Sequence, residues 1–246
     1  MSVPVSNENA GPIEEAVAFE ELRAVLFDLD GTLVDSEPLW GVSMDRVAGH
    51  LGGSLSPEFR AATTGQSVPF SVKLLLDDIG SERGVEETTS LLLSITAEIF
   101  AEDLLWQPGA EQLIDQIRAA GIKTALVTNS PRQLVDVSLG GLLGGHRFDV
   151  TICGDEVTRS KPDPQPYQLA MDLLGLTSAQ CLAVEDSPSG AAAAVAAGIP
   201  VLVVPSEVPV PEGPGRIFAS SLLDSTVTEL QHIHHEFRRF RRAHGE

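Results

Sequence analysis

The sequence predicts an α/β fold: a parallel sheet covered by helices on both faces, with a separate helical lobe inserted into it. Three observations predict it. Short apolar runs fit for buried strands recur at residues 23–28, 122–127, 148–153, 181–185 and 200–204, with a weaker one at 216–219. Stretches with helical spacing separate several of these runs, and strand–helix alternation of this kind indicates parallel pairing. The interval 38–107 is different, holding several helical patterns and no convincing strand.

The first strand is Ala24-Val25-Leu26-Phe27, and Asp28-Leu29-Asp30-Gly31-Thr32-Leu33-Val34-Asp35 comes directly after it. Carboxylates at i and i+2 on a strand point to one face. The glycine lets the chain turn sharply and leaves both acids at an exposed strand end. Two acids so close repel each other unless a cation or a proton is shared between them.

The inserted lobe is read from patterns such as Val72, Leu75, Leu76 and Ile79, and Leu92, Ile95 and Ile99. Gly52-Gly53 and Gly80 break it into pieces, and Pro108-Gly109 marks the return to the sheet. Beyond it, Ala110, Leu113, Ile114 and Ile117 form one apolar helical face closed by Gly121, and Tyr167, Ala170, Met171 and Leu174 form another closed by Gly175. Pro188 stands where a first helical residue tolerates it, opening a small-residue helix that runs to Ala197 and is stopped by Gly198 and Pro200. The expected domains are a loose leader over 1–20, a sheet core over 21–37 and 108–230, an inserted helical lobe over 38–107, and a basic tail over 231–246. The tail carries Arg238, Arg239, Arg241 and Arg242 beside Phe237 and Phe240, and its short apolar face suggests a solvated terminal helix.

At 246 residues and 43% hydrophobic composition, the chain can bury a substantial core and a small second lobe. A formal charge of −19 argues against a nucleic-acid partner, whose phosphates demand a basic footprint. A phosphorylated ligand would need local help from a metal ion or a well-placed lysine. Cys153 and Cys181 fall in strand-like runs and read as buried free thiols, which suits a cytoplasmic protein. The polar, acidic leader does not resemble a secretory signal, and no apolar stretch is long enough to span a membrane. A monomer is expected.

Three further sites fall where strands should end: Thr128-Asn129-Ser130, Ser160-Lys161-Pro162-Asp163-Pro164, and Glu185-Asp186-Ser187. Each alone has an ordinary structural reading, as a loop or a helix cap. In an open α/β sheet, however, the carboxyl ends of the strands form the ligand crevice, so all four sites should converge there.

In that order and placement the motifs resemble those of the haloacid dehalogenase superfamily of phosphohydrolases. The resemblance covers nearly all of 22–225 and lies closest to the branch that includes β-phosphoglucomutase and 2-deoxyglucose-6-phosphate phosphatases. It implies a Rossmann-like core with a small helical cap inserted after the first strand. It also implies Mg²⁺, held by Asp28, the Asp30 backbone carbonyl and Asp186, with Glu185 a further ligand or an orienting group. Asp28 would be the nucleophile, Asp30 the general acid and base, and Thr128, Lys161 and the Asn129 N–H the holders of phosphoryl oxygens. Ser130 and Trp40 join the expected substrate-binding set. A carboxylate at position 30 favours phosphate esters over the dehalogenases and phosphonatases of the superfamily, which lack it.

The run Asp35-Ser36-Glu37-Pro38-Leu39-Trp40 resembles the sugar and polyol phosphatases. β-Phosphoglucomutases carry a histidine where Trp40 stands, so a hydrolase is expected ahead of a mutase. A non-catalytic binding module is the third reading, weakened because Asp28, Asp30, Thr128, Lys161 and Asp186 are all present. Thr63-Thr64-Gly65-Gln66-Ser67 aligns with the family's specificity loop, where Gly65 and Gln66 are expected to face substrate. Gln66 replaces the arginine or lysine of many sugar-phosphate members and leaves the substrate open. Arg132 has two readings, one reaching the cleft and one as a surface arginine at a helix start.

Overall fold

The computed structural model describes residues 21–63, 67–206 and 208–243. Among these, six parallel strands form one sheet: β1 (Ala24–Phe27), β2 (Lys123–Val127), β3 (Val150–Ile152), β4 (Cys181–Glu185), β5 (Val201–Val203) and β6 (Arg216–Phe218), in the order β3-β2-β1-β4-β5-β6. Successive side chains alternate between two buried faces. Val25, Phe27, Leu126, Leu182, Val184 and Leu202 point one way, against α5 (Ala110–Ala119), α6 (Arg132–Gly140) and α9 (Val227–Ala243). Ala24, Leu26, Ala125, Val127, Ala183, Val201 and Val203 point the other way, against α7 (Gln165–Leu174) and α8 (Pro188–Ala196). Burial on both faces is why these strands read as continuous apolar runs rather than alternating ones.

The insert after β1 holds α1 (Glu37–His50), α2 (Pro57–Thr63), α3 (Val68–Ile79) and α4 (Val85–Asp103). It has its own apolar centre, built from Met44, Val47, Phe59, Val72, Leu75, Leu76 and Leu92. Each large side chain buried there contributes about 1.5–3 kcal/mol relative to exposure. The two stretches of chain that join insert and sheet are tied to each other: Asp35 N–H donates to the Leu105 carbonyl at 2.9 Å, and Gln107 N–H to that of Leu33 at 2.8 Å. This pairing brings the insert back over the carboxyl end of β1.

The chain's end differs from the solvated helix expected of it. Helix α9 starts at Val227, ahead of the expected tail, and Leu230 and Ile233 are buried in the sheet's core. The ring Nε2 of buried His234 lies 2.8 Å from the Ala179 carbonyl oxygen. A short apolar face is enough because the sheet leaves room for it beside α5. The arginines come in the last turns, Arg239 exposed. No helix among the described residues is long and apolar enough to cross a membrane. The expected leader over 1–20 lies outside the described residues.

Candidate active site

The register of the sheet assembles the site. Phe27 of β1 faces Leu126 of β2 on one side and Val184 of β4 on the other. The residues immediately beyond these three therefore emerge side by side at the carboxyl edge. Asp28 extends the ladder by one bond, its N–H donating to the Val184 carbonyl at 3.0 Å. Glu185 ends β4, and Asp186 comes next. One oxygen from each of Asp28, Glu185 and Asp186 falls within 4.8 Å of the others, and all three residues are buried.

Lys161, on the loop between β3 and α7, enters this cluster. Its Nζ donates to Asp28 Oδ1 at 2.6 Å and to Glu185 Oε1 at 2.6 Å, and its side chain is only 2% exposed. The loop is held by Asn129, whose Oδ1 accepts from the Lys161 N–H at 3.0 Å and whose Nδ2 donates to the Lys161 carbonyl at 3.3 Å. Gly154 allows that loop to pass closely, since a Cβ there would sit 2.1 Å from the Asn129 carbonyl oxygen.

Neighbouring hydroxyls orient Asp186, Asp30 and Glu185, while Asp28 is held by the Lys161 ammonium. Asp186 accepts from Ser206 and, at 3.4 Å, from Thr32. Asp30, partly buried, accepts from Ser36 at 2.6 Å on one oxygen and from Ser130 on the other. Glu185 accepts from Tyr167 on the same oxygen that meets Lys161, while its second oxygen faces Ser187 at 3.4 Å. Thr128 is buried, and its Oγ1 accepts from the Ser130 N–H at 3.0 Å.

Burial dominates the electrostatics. It raises Asp28 to about 7, with Glu185 and Asp30 adding repulsion and Lys161 opposing the rise. It raises Asp186 to about 7 as well, helped by the charge of Asp28. Glu185 is also raised by burial, against the pull of Lys161. Burial alone would lower Lys161, yet Asp28 and Glu185 outweigh it and hold the ammonium well above its ordinary range. Three clustered carboxylates thus share one ammonium within the cluster, an imbalance that a divalent cation would correct. The donors are hard carboxylate oxygens, which suit Mg²⁺. Glu185 is the least available of the three, because Lys161 and Tyr167 already occupy one of its oxygens.

Residues 22–198 match the family model of the haloacid dehalogenase-like hydrolases. The chain belongs to that family. A phosphoglycolate phosphatase (plasmid) of Cupriavidus necator is 36% identical over 206 residues, covering 82% of this chain and 89% of the relative. A phosphorylated carbohydrates phosphatase of Thermotoga maritima is 30% identical over 178 residues, covering 72% of this chain and 82% of its own length. The CbbY structure of Rhodobacter sphaeroides with phosphate superposes with a TM-score of 0.75 at 25% identity, over 85% of this chain and 99% of that one. A mutant of that CbbY has been solved with xylulose-1,5-bisphosphate. The chain is thus a haloacid dehalogenase-family phosphatase.

Within this hydrolase, Asp28, Lys161, Glu185 and Asp186 come together, with Asp30, Thr128, Asn129 and Ser130 tied to them or to each other by hydrogen bonds. Trp40 packs edge-on against Phe100, centroids 6.1 Å apart, and touches the apolar centres of both sheet and insert. Gly65 and Gln66 lie outside the described residues. Of the two readings of Arg132, the structure selects the surface one: its guanidinium grips Glu156 at 2.7 and 2.8 Å and Thr151 Oγ1 at 2.9 Å. Sequence reasoning missed Tyr167, Ser206, Thr32 and Ser36 as supports. Tyr167 was legible only as part of an apolar helical face, although a buried tyrosine hydroxyl demands a partner. Ser206 was open to the strand-end argument, since it lies close after β5.

Proposed function

We propose that this phosphatase is Mg²⁺-dependent and hydrolyses small phosphate monoesters, of sugar, polyol or similar hydroxy-acid type, through an aspartyl-phosphate on Asp28. The observation that carries the reading is the buried meeting of Lys161 with Asp28, Glu185 and Asp186 at the strand ends. The relatives support the substrate class, because those named act on phosphoglycolate and on phosphorylated carbohydrates, and CbbY is seen with a sugar bisphosphate.

In this reading an Asp28 oxygen attacks phosphorus while the bond from phosphorus to the leaving oxygen breaks. Asp30, entering as the carboxylic acid, gives its proton to that oxygen. As the carboxylate it then takes a proton from the water that attacks the phosphorylated Asp28, which restores both groups. Thr128 and Lys161 hold the phosphoryl oxygens, and positioned charge of this kind supplies most of the catalysis in phosphoryl transfer. Asp28, Asp186 and the Asp30 carbonyl would hold Mg²⁺, with Glu185 orienting Lys161. The bound ion would add positive charge against the phosphoryl oxygens.

Trp40 favours hydrolysis over a mutase reaction. The position where mutases place a gating histidine carries an indole packed on Phe100, which offers no imidazole to hold back water. Phosphate release should be measured on a panel containing 2-phosphoglycolate, sugar phosphates, polyol phosphates and nucleotide monophosphates. Turnover of one small monoester that vanishes with chelator and in Asp28→Asn is expected. Undiminished turnover in Asp28→Asn would remove the reading.

A further inference from the structure

Tyr167 stands apart from the motif residues, yet it lies under the centre of the cluster. It is fully buried on α7, beside its buried helix neighbours Ala170, Met171 and Leu174. Packing alone would be served equally by phenylalanine. Its hydroxyl nonetheless donates to Glu185 Oε1, the oxygen that also receives Lys161 Nζ. The ammonium sits 5.3 Å from the centre of the Tyr167 ring, within reach of a cation–π attraction. Glu185 is confined from its other side too, since a Cβ on Gly190 would lie 1.8 Å from Oε2. The carboxylate is thus wedged between Gly190 and the tyrosine, and Lys161 hangs from it.

We propose that Tyr167 is a positioning residue for phosphoryl transfer: its hydroxyl fixes Glu185, and through Glu185 it sets where the Lys161 ammonium stands against Asp28. The inference rests on the reading of Lys161 as a holder of phosphoryl oxygens. Two of that ammonium's three protons go to Asp28 and Glu185, so its aim depends on both carboxylates staying still. Without the phenol, Glu185 Oε1 meets only Lys161, and a carboxylate freed of one donor can turn and carry the ammonium with it. The grip on the transferring phosphoryl group then loosens at the moment charge develops. Outer groups that orient the ligands of a metal site typically carry about 10–100-fold of activity, and a loss of the same order is expected for a group that orients Lys161.

Tyr167→Phe removes one hydroxyl and keeps the ring under Lys161. The expected result is a fall in kcat of about 10–100-fold with KM changed far less, as for an interaction that matters mainly in the transition state. In a Lys161→Ala background the same change should have little further effect, because the tyrosine acts through the lysine. The chain has one tyrosine, so growth on 3-fluorotyrosine places a single ¹⁹F probe at this site. Its resonance should move when inorganic phosphate binds in the presence of Mg²⁺, as expected of a hydroxyl coupled through Glu185 to the ammonium that meets the anion. Full kcat in Tyr167→Phe, or a fluorine signal indifferent to saturating phosphate, overturns the inference. If Lys161→Ala itself turns over normally, the underlying role of the lysine fails instead, and the two outcomes are distinct.

Discussion

Gly31 faces the carboxylate of Asp186 across the site: with φ at +77°, a Cβ on this glycine would lie 2.1 Å from Asp186 Oδ2. The turn that exposes Asp28 and Asp30 therefore runs against the very side chain that comes from the end of β4, 154 positions beyond Thr32 of the same turn. Gly31→Ala should fail twice. The left-handed backbone costs about 1–2 kcal/mol with any L side chain, and the methyl group also displaces Asp186. Thermal unfolding should show the loss, and activity should need more Mg²⁺ for half-saturation. A variant as stable as the parent, with the same Mg²⁺ requirement, would contradict this.

Gly190 reverses an ordinary expectation. In a helix interior alanine is favoured over glycine by about 1 kcal/mol. Here the methyl group collides with Glu185 at 1.8 Å, and overpacking a tight site costs about 1–3 kcal/mol. Gly190→Ala should therefore be destabilised rather than stabilised, and slower, because Lys161 moves with Glu185. A rise in melting temperature would show that the carboxylate yields easily.

The buried aspartates set a pH dependence for the metal-free protein. Asp28 and Asp186 rise by burial from the ordinary 3.8 to about 7. The folded state thus prefers their protonated forms. Their contribution to stability is complete below about pH 4 and is lost as pH climbs through about 7. Glu156 and Asp115, held low by hydrogen bonds from Arg132 and Arg147, act in the opposite sense at the acid end. Between pH 5 and 8, chelated protein should therefore melt at a falling temperature. Mg²⁺ should reverse the fall, adding about 2.7 kcal/mol at a hundred times its dissociation constant, and more at pH 8 than at pH 5.5, where protons compete. Equal stabilisation by Mg²⁺ at both pH values would count against these carboxylates as its ligands.

Cys153 and Cys181 are fully buried, and burial pushes both thiols up to about 12. Neither should react with iodoacetamide at pH 8 until denaturant is added, when two alkylations should appear by mass spectrometry. Rapid labelling of the native protein would place at least one thiol at the surface.

Strands, insert and the identity of the groups at the carboxyl edge were all legible in the order of residues along the chain. The reason is physical. Buried parallel strands must be apolar throughout, and parallel pairing sends every strand end to the same side, so Asp28, Thr128 and Glu185 had to emerge together. Which neighbour each of them holds was settled in three dimensions. Tyr167 and Leu174 occupy the same apolar face of α7, and nothing in their spacing says that one reaches a carboxylate through its hydroxyl. Arg132 was equally suited to the cleft and to the surface until the 3-10 turn after β3 set Glu156 beside it. The docking of α9 depended on a space beside α5 that no local pattern records. Such contacts depend on how helices roll against the sheet and where loops return, and those are fixed by packing across the whole chain.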